Sequence, residues 1–313
     1  MPYLDIVTRS FTIAWRYRYL WLIAFFSGEA GGGNFFSGNP GINRNTDLAT
    51  MPQQVANWIT EHAGLLTFLA VAWLVLAIAL FFLGAVCEGA TVRASAEHDA
   101  ERPFGLRLAW TMGVRTMWRI VRFRLLIIAL GLPLALLFVL WTLGAISALV
   151  RQDLSAFLAL IAILVLLFVV ALVYGTYLFF LDRFGSRAVV LEERMAMASI
   201  ARAHRLLFKR FGRSLLVWLL ALAIAVGVGV AVASLSAVLL LPLGVALAAT
   251  ASSGSPAFWV VLAVTLVILL PVYFVVFGFL GAQSSTYWTL AFRRLDLEYP
   301  PPARLPLPQA PAQ

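Results

Sequence analysis

The chain has 313 residues, of which 62% are hydrophobic and only 12% charged, with a formal net charge of +9. A soluble domain is close to half apolar and about a quarter charged, so this composition excludes an ordinary water-soluble fold. It predicts an all-α, polytopic membrane protein that has lipid as the solvent over much of its surface.

The first apolar stretch, Tyr19–Phe26, follows Arg16 and Arg18 and precedes a Gly-rich stretch at 28–45. A span needs about 20 apolar residues, so this stretch spans only if flanking aromatics lie at the interface and the arginines reach it. A signal peptide cleaved near Gly28-Glu29-Ala30 is the alternative. The Gly-rich stretch is predicted to be an external loop, because it lacks the spacing and lysine of a phosphate-binding loop.

Five longer apolar runs follow, each long enough to span and each without Asp, Glu, Lys, Arg or His. The last two exceed a bilayer core of about 30 Å. They are predicted to tilt, to extend past the membrane, or to bend at Pro242 and Pro271. The runs are Leu65–Val86, Leu125–Val150, Leu154–Leu181, Ser214–Ala249 and Ala257–Phe292.

Polar side chains are scarce in these runs, which lack the midplane charges of ion-coupled carriers. The densest polar group, Gln283-Ser284-Ser285-Thr286, is interpreted as hydrogen bonding between helices, with a transport pathway as the alternative. Small residues from Gly227 to Ala233 predict close helix packing. The single cysteine, Cys87, is interpreted as a small hydrophobic residue.

The best candidate for chemistry is Glu97-His98-Asp99 with Glu101, since carboxylates and imidazole can bind a metal or transfer protons. Consecutive residues of a helix face different directions, and the spacing matches no metal motif. A solvated, charged loop is therefore the preferred interpretation. The sequence predicts no catalytic residue, no cofactor and no metal site.

Charge placement predicts the topology. With six spans, 21 of the 23 basic residues fall on one side, and only Arg44 and Arg151 on the other. The positive-inside rule then predicts a protein of the bacterial plasma (inner) membrane with both termini on the cytoplasmic side. If the first segment does not span, the N-terminus lies on the outer side and the C-terminus stays cytoplasmic. A single membrane domain at 1–298 precedes a disordered, Pro-rich tail at 299–313.

Three repeat-like units, at about 4–87, 104–181 and 196–292, each place a basic, aromatic, amphipathic helix before a membrane hairpin. Such helices lie in the membrane interface with their cations toward lipid phosphates. The alternative is that they only determine the topology and pack under the membrane helices, without a specific ligand. Nucleic acid is disfavoured because the cations border the membrane runs. The predicted contacts to anionic lipids of the cytoplasmic leaflet are Arg16, Arg18, Arg119, Arg122, Arg124, Lys209, Arg210 and Arg213.

The opening Ala-Trp-Arg-x-Arg-x-Leu-Trp-Leu at 14–22, the Gly-rich first loop and the closing stretch Tyr287–Leu295 resemble a family of uncharacterised bacterial multi-pass membrane proteins. That family is similar to the membrane domain attached to some glycerophosphodiester phosphodiesterases. The resemblance covers Leu4 to Leu295 and implies a multi-pass fold. In the fused proteins a separate soluble barrel performs the hydrolysis, so the resemblance implies no catalytic residue here.

These observations favour a membrane scaffold, accessory or lipid-interacting protein, with anionic lipids and either a protein partner or a second copy as its partners. A transporter or channel for a small or lipid-like solute is the alternative, because the chain has several spans in repeated units. An enzyme is the least favoured class, since no nucleophile and base are paired in the sequence.

Overall fold

The computed structural model describes residues 3–29, 57–151, 154–252 and 257–295, and all regular elements within these ranges are helices. A helical turn at 57–61 precedes the third of the helices named here. These helices are α1 (Tyr3–Arg16), α2 (Tyr19–Ser27), α3 (Ala63–Asp99), α4 (Leu106–Val150), α5 (Leu154–Leu191), α6 (Ala196–Lys209), α7 (Phe211–Ser252) and α8 (Ala257–Leu295).

Five of these helices, α3, α4, α5, α7 and α8, are long and apolar enough to cross a membrane. This confirms the prediction of an all-helical, multi-pass architecture at that level of detail. The candidate spans contain 36 to 45 residues, whereas a bilayer core needs about 20. The extra length continues past the predicted apolar runs, and Pro133, Pro242 and Pro271 lie inside the helices.

The helices divide along their length into two regions. The arms are the apolar segments 63–83, 125–150, 154–179, 218–246 and 257–277, where at most 11% of the residues of each apolar window are buried. The base comprises α1, α2, α6 and the adjoining ends of the long helices, and it contains most of the buried residues. The arms therefore expose apolar side chains, as membrane spans do, whereas the base has a protein core of its own.

Small residues allow helices of the base to approach closely. A Cβ atom added to Gly278 of α8 would lie 2.6 Å from the carbonyl oxygen of Trp21, and one added to Gly281 would lie 2.8 Å from that of Ala24. Both contacts are with the backbone of α2, so only glycine fits where α2 crosses α8. Helix α2 then ends at Gly28, whose φ of 77° is the left-handed conformation that glycine adopts readily.

Helix α2 is an integral part of the base, since Leu20, Ile23 and Ala24 are buried in its core. Its nine residues extend about 14 Å at 1.5 Å per residue, which is less than half of a bilayer core of about 30 Å. The helix does not cross a membrane by itself. The predicted first span, Tyr19–Phe26, lies wholly within this helix. The Gly-rich loop after residue 29 and the C-terminal tail lie outside the described residues.

The predicted interfacial helices take two forms. The first and third are the discrete helices α1 and α6, and each presents one buried and one exposed face. The second, predicted over 104–124, is the first part of the continuous helix α4. The three segments therefore share composition and location at the base, while the threefold repeat stays a prediction.

Helices α7 and α8 are separated along much of their arms. The prediction of close packing from Gly227 to Ala233 is wrong for its two glycines, because a Cβ added to Gly227 or Gly229 meets no atom within 4 Å. A cavity of about 590 Å³ lies between these helices instead. Small residues here leave room between the helices rather than bringing them together.

Candidate functional site

Charged residues that border different apolar runs meet where the arms join the base. Glu29 follows the first apolar stretch, Glu88 follows the run that ends at Val86, and Arg124 precedes the run that begins at Leu125. The ends of spans on one side lie at a similar depth, so these residues come together. We call the group the charged cluster, and its members are Glu29, Glu88, Arg124, Asp182, Arg183 and Arg187.

Glu29 is the centre of the charged cluster. Nη2 of Arg187 lies 2.8 Å from each carboxylate oxygen of Glu29, and Nη1 of Arg183 lies 3.2 Å from Oε2. The Arg187 side chain is fully buried. Burial acts to raise the pKa of Glu29, but Arg187 and Arg183 together hold that pKa below its usual value. The carboxylate is thus ionised at neutral pH and bound by two cations.

A second pair connects three helices at the same depth. Nη2 of Arg124 lies 2.7 Å from Oε2 of Glu88, and it also donates a hydrogen bond of 3.1 Å to the carbonyl oxygen of Ser27. Arg124 therefore joins α4 to α3 and to the end of α2. Because the Ser27 carbonyl lies at the C-terminus of a helix, it is a favourable place for a cation.

Asp182 completes the charged cluster with a different environment. In the described part of the chain it forms neither a hydrogen bond nor an ion pair within 4.0 Å, although Glu88, Arg183, Arg187 and Glu29 all act on it electrostatically. The cluster contains as many carboxylates as guanidinium groups, so its formal charges balance. Each buried charge is thus compensated by others of opposite sign, and removing one partner would leave a buried charge uncompensated.

Glu97, His98 and Asp99 lie at the end of α3, and their interpretation as a solvated loop is wrong. Glu97 and His98 are buried. The Nε2 atom of His98 lies 2.6 Å from the Tyr19 hydroxyl, and its ring stacks on Tyr17 with centroids 3.5 Å apart. His98 and Asp99 have partners in other helices of the base, whereas Glu97 is paired with Arg93 and Arg102. Among the described residues, no three His, Cys, Asp or Glu side chains are placed to hold a metal.

Asp99 shows how the base is connected. One of its carboxylate oxygens lies 2.7 Å from Nε of Arg9 in α1, and the other lies 2.6 Å from Nη1 of Arg293 in α8. Glu97 lies 2.9 Å from Arg93 one helical turn earlier. The two ion pairs of Asp99 join the first and last helices, α1 and α8, to the end of α3.

The polar group at 283–286 mainly connects helices. Gln283 donates a hydrogen bond of 3.3 Å to Ser10 of α1, and the hydroxyls of Ser95 and Thr286 lie 2.9 Å apart. The interpretation as interhelical hydrogen bonding is confirmed for these residues. Gln283 and Ser284 also line the cavity between α7 and α8.

The predicted lipid-binding cations fall into two groups. Arg119 lies 3.1 Å from Glu193 and Arg124 lies 2.7 Å from Glu88, so both have carboxylate partners in the protein. Arg210 is half-buried. The remaining cations are exposed on the base, and we call them the basic belt: Arg16, Arg18, Arg122, Lys209 and Arg213.

Exposed aromatic side chains accompany these cations. Trp15 is 62% exposed, Trp118 is 51% exposed and Phe208 is 58% exposed. The Arg122 guanidinium lies 5.8 Å from the centre of the Trp118 ring. Exposed Trp beside Arg is typical of the boundary between membrane and water, where an amphipathic ring and a cation are both favourable.

A family of unknown function, DUF7544, matches residues 7–290 of the chain. The chain belongs to this family. No curated protein matches the sequence, and no solved structure matches the fold. The family match covers α2, the five arms and nearly all of the base, so the charged cluster lies within it.

Sequence reasoning missed the charged cluster as a unit. In the sequence, Glu29 stands out only as part of a possible cleavage site, and Arg183 and Arg187 only add to the basic residues of one side. Nothing in the sequence singles out Asp182. The available signal was the position of charges at the ends of different apolar runs. That position indicates that these charged residues lie at a common depth. Which of them form pairs depends on how each helix is rotated about its axis, and the sequence alone does not show this.

Proposed function

We propose that this protein is a lipid-interacting scaffold or accessory protein of a bacterial plasma membrane, with its base in the cytoplasm. The observation that carries the proposal is the basic belt, where exposed Trp15, Trp118 and Phe208 stand beside exposed cations on the base. Anionic phospholipid headgroups supply the complementary charge.

The belt suits a membrane surface better than a single ligand. Its cations belong to separate segments around the base, and each is worth about 1 kcal/mol near an anionic leaflet. Several weak contacts at one depth attract the headgroups of many lipids and fix how deeply the protein sits. A scaffold needs that property, and a protein partner or a second copy would then bind the exposed parts of the base or arms.

Native mass spectrometry of the protein in its own lipid patch tests this function. We expect retained phosphatidylglycerol or cardiolipin, and a loss of several lipids when all five belt residues are changed to Gln. The control is Arg151→Gln, since Arg151 is exposed at the opposite end of the arms. Equal retention of phosphatidylcholine and anionic lipid by the unchanged protein would overturn the proposal.

The proposed orientation has its own test. Cys87 is buried, so it is replaced by Ser and single cysteines are introduced as Arg213→Cys and Arg151→Cys. A membrane-impermeant maleimide should label position 151 in intact cells and position 213 only in inverted vesicles. The reverse pattern would place the base outside the cytoplasm. The described helices supply five candidate spans, and the sixth is part of this proposal.

A transporter or channel for a lipid-like solute is the second candidate. The open cavity between α7 and α8, beside buried charges, favours it. Flux of fluorescent lipid or small solutes into proteoliposomes would support this candidate, and its absence across a broad panel would leave the scaffold. The similarity to membrane domains of glycerophosphodiester phosphodiesterases also stays a prediction, and it supplies no catalytic residue in either case.

A further inference from the structure

The cavity between α7 and α8 is a groove with an apolar wall and a charged end. Its volume of about 590 Å³ falls within the roughly 300–1,000 Å³ of typical small-molecule sites. From α7 it is lined along Trp218 to Ala233, and from α8 by residues including Phe277 and Leu280. Glu29 and Arg183 of the charged cluster line it as well.

Two hydrogen bonds between α7 and α8 mark the two ends of the groove. At the base, the Tyr287 hydroxyl donates to the carbonyl oxygen of Val217 at 2.7 Å, and further out the Tyr273 hydroxyl donates to Oγ of Ser236 at 2.8 Å. The helices are thus joined on both sides of the opening. The gap between the two helices is therefore bounded at both ends, and it does not arise because the arms diverge.

The wall of the groove explains its depth. Ala221, Ala225, Gly229 and Ala233 of α7 recur at intervals of four and all line the cavity. Residues four apart lie on one face of a helix. A Cβ added to Gly229 meets no atom within 4 Å, so the space beside this face is not filled by another side chain of the described structure.

The length of the groove fits one lipid chain. The segment from Trp218 to Ala233 covers about 22 Å at roughly 1.5 Å per residue. One leaflet contributes about 15 Å of a hydrocarbon core of about 30 Å. A chain anchored at the base therefore fits within the groove while the lipid stays in its own leaflet.

The charged end of the groove favours an anionic headgroup. Glu29 is bound through both oxygens by the buried Arg187, which neutralises it. Arg183, whose side chain is 16% exposed, also lies 3.2 Å from Glu29 through Nη1, so two guanidinium groups accompany the one carboxylate that lines the groove. Its Nε atom has no hydrogen-bond partner among the described residues. Asp182 and Glu88 belong to the cluster but do not line the groove. Ser284 adds a hydroxyl at the same end.

From these observations we infer that the groove binds one acyl chain of an anionic phospholipid from the leaflet next to the base. The phosphate lies at Arg183, which keeps N–H donors beyond the Nη1 contact to Glu29 for a charge-assisted hydrogen bond. The chain lies against the small residues of α7. This site is separate from the basic belt, because none of the belt residues lines it.

The test uses phosphatidylglycerol with a photoreactive diazirine in one acyl chain, reconstituted with the full-length protein in nanodiscs. Cross-links are mapped by mass spectrometry. We expect them on α7 between Trp218 and Ala233 and on α8 near Leu280. Gly229→Leu should fill the groove and remove most of these cross-links. Gly227→Leu is the matched control, because a Cβ at Gly227 also meets nothing within 4 Å but the residue does not line the groove.

The headgroup is tested by competition. Unlabelled phosphatidylglycerol should displace the probe, and Arg183→Gln should weaken that displacement roughly tenfold, the effect of losing one charge-assisted contact. Changing the five belt residues to Gln should leave the groove cross-links in place, so the two proposals fail separately. Equal cross-linking in both Leu variants, equal competition by phosphatidylcholine, displacement only by free fatty acid, or cross-links between two copies would each overturn the inference.

Discussion

The long helices pass through both the base and the arms, but their side chains are packed differently in the two regions. Along α3, residues from Gly84 to His98 are buried, whereas the preceding apolar segment is exposed. Alanine is common in both parts, but the buried part carries charges, whereas the exposed part is rich in Leu and Phe and has no charged residue. Apolar side chains gain nothing by leaving lipid for a protein interior, so packing is specified where small and polar residues occur.

The largest expected difference concerns buried charge. Arg187→Leu should destabilise the protein by about 3–5 kcal/mol, because it removes the bidentate partner of buried Glu29. The midpoint of unfolding in SDS measures this effect. The exposed Arg213 serves as the control, and Arg213→Leu should leave the midpoint nearly unchanged.

A double variant sharpens this prediction. Adding Glu29→Gln to Arg187→Leu should recover part of the lost stability, since the uncompensated carboxylate is then absent. If the double variant is less stable than either single variant by the sum of both effects, the two groups do not act as a pair. Glu29 would then owe its position to other contacts.

The same substitution should have opposite effects in the two regions. Gly278→Ala in the base should cost about 1–3 kcal/mol, because the new Cβ would lie against the backbone of α2. Gly175→Ala in the α5 arm meets no atom within 4 Å, and it should be neutral or stabilising by up to about 1 kcal/mol through helix propensity. Equal effects at both sites, measured by the same SDS midpoint, would contradict the division into base and arms.

Much of the architecture followed from the sequence because lipid imposes strong constraints. Long runs without charge, such as Leu154–Leu181, predicted helices, and the structure has helices there. One prediction was wrong because the effect of a glycine depends on neighbours that the sequence does not show. Gly278 and Gly229 look alike in the sequence, yet one contacts α2 closely and the other faces open space. Whether a glycine permits contact or leaves a gap depends on which helix lies opposite.

The candidate site was predictable in depth but not in pairing. Charges next to apolar runs had to lie at the base, as Glu88 and Arg124 do. Glu97 and His98 were assigned to a loop because the apolar run had ended, whereas the helix continues to Asp99. Burial by neighbouring segments of the base, rather than local hydrophobicity, keeps that helical end ordered.

A smaller effect is expected from the hydrogen bond that closes the base end of the groove. Tyr287→Phe should cost about 1 kcal/mol, the net value of one buried hydrogen bond, because the hydroxyl bonds Val217 across α7 and α8. Tyr174→Phe, which removes a bond between two exposed arm positions, is the control. The rate of disulfide formation between two cysteines introduced across the groove, measured with and without Tyr287→Phe, would show whether α7 has moved away from α8. An unchanged rate would mean that other contacts fix the distance between the two helices.

The smallest expected effect lies at Arg119, which the sequence placed among the same lipid-binding cations as Arg124. Both have carboxylate partners, but the Arg119–Glu193 pair is about 40% exposed at each side chain, whereas Glu88 beside Arg124 is almost buried. Arg119→Gln should therefore cost less than about 1 kcal/mol, and the cost should shrink further in high salt. Arg124→Gln should cost several times more and should respond little to salt. If the two variants behaved alike, burial would not distinguish these cations, and Arg124 would rejoin the exposed residues as a candidate for direct contact with lipid.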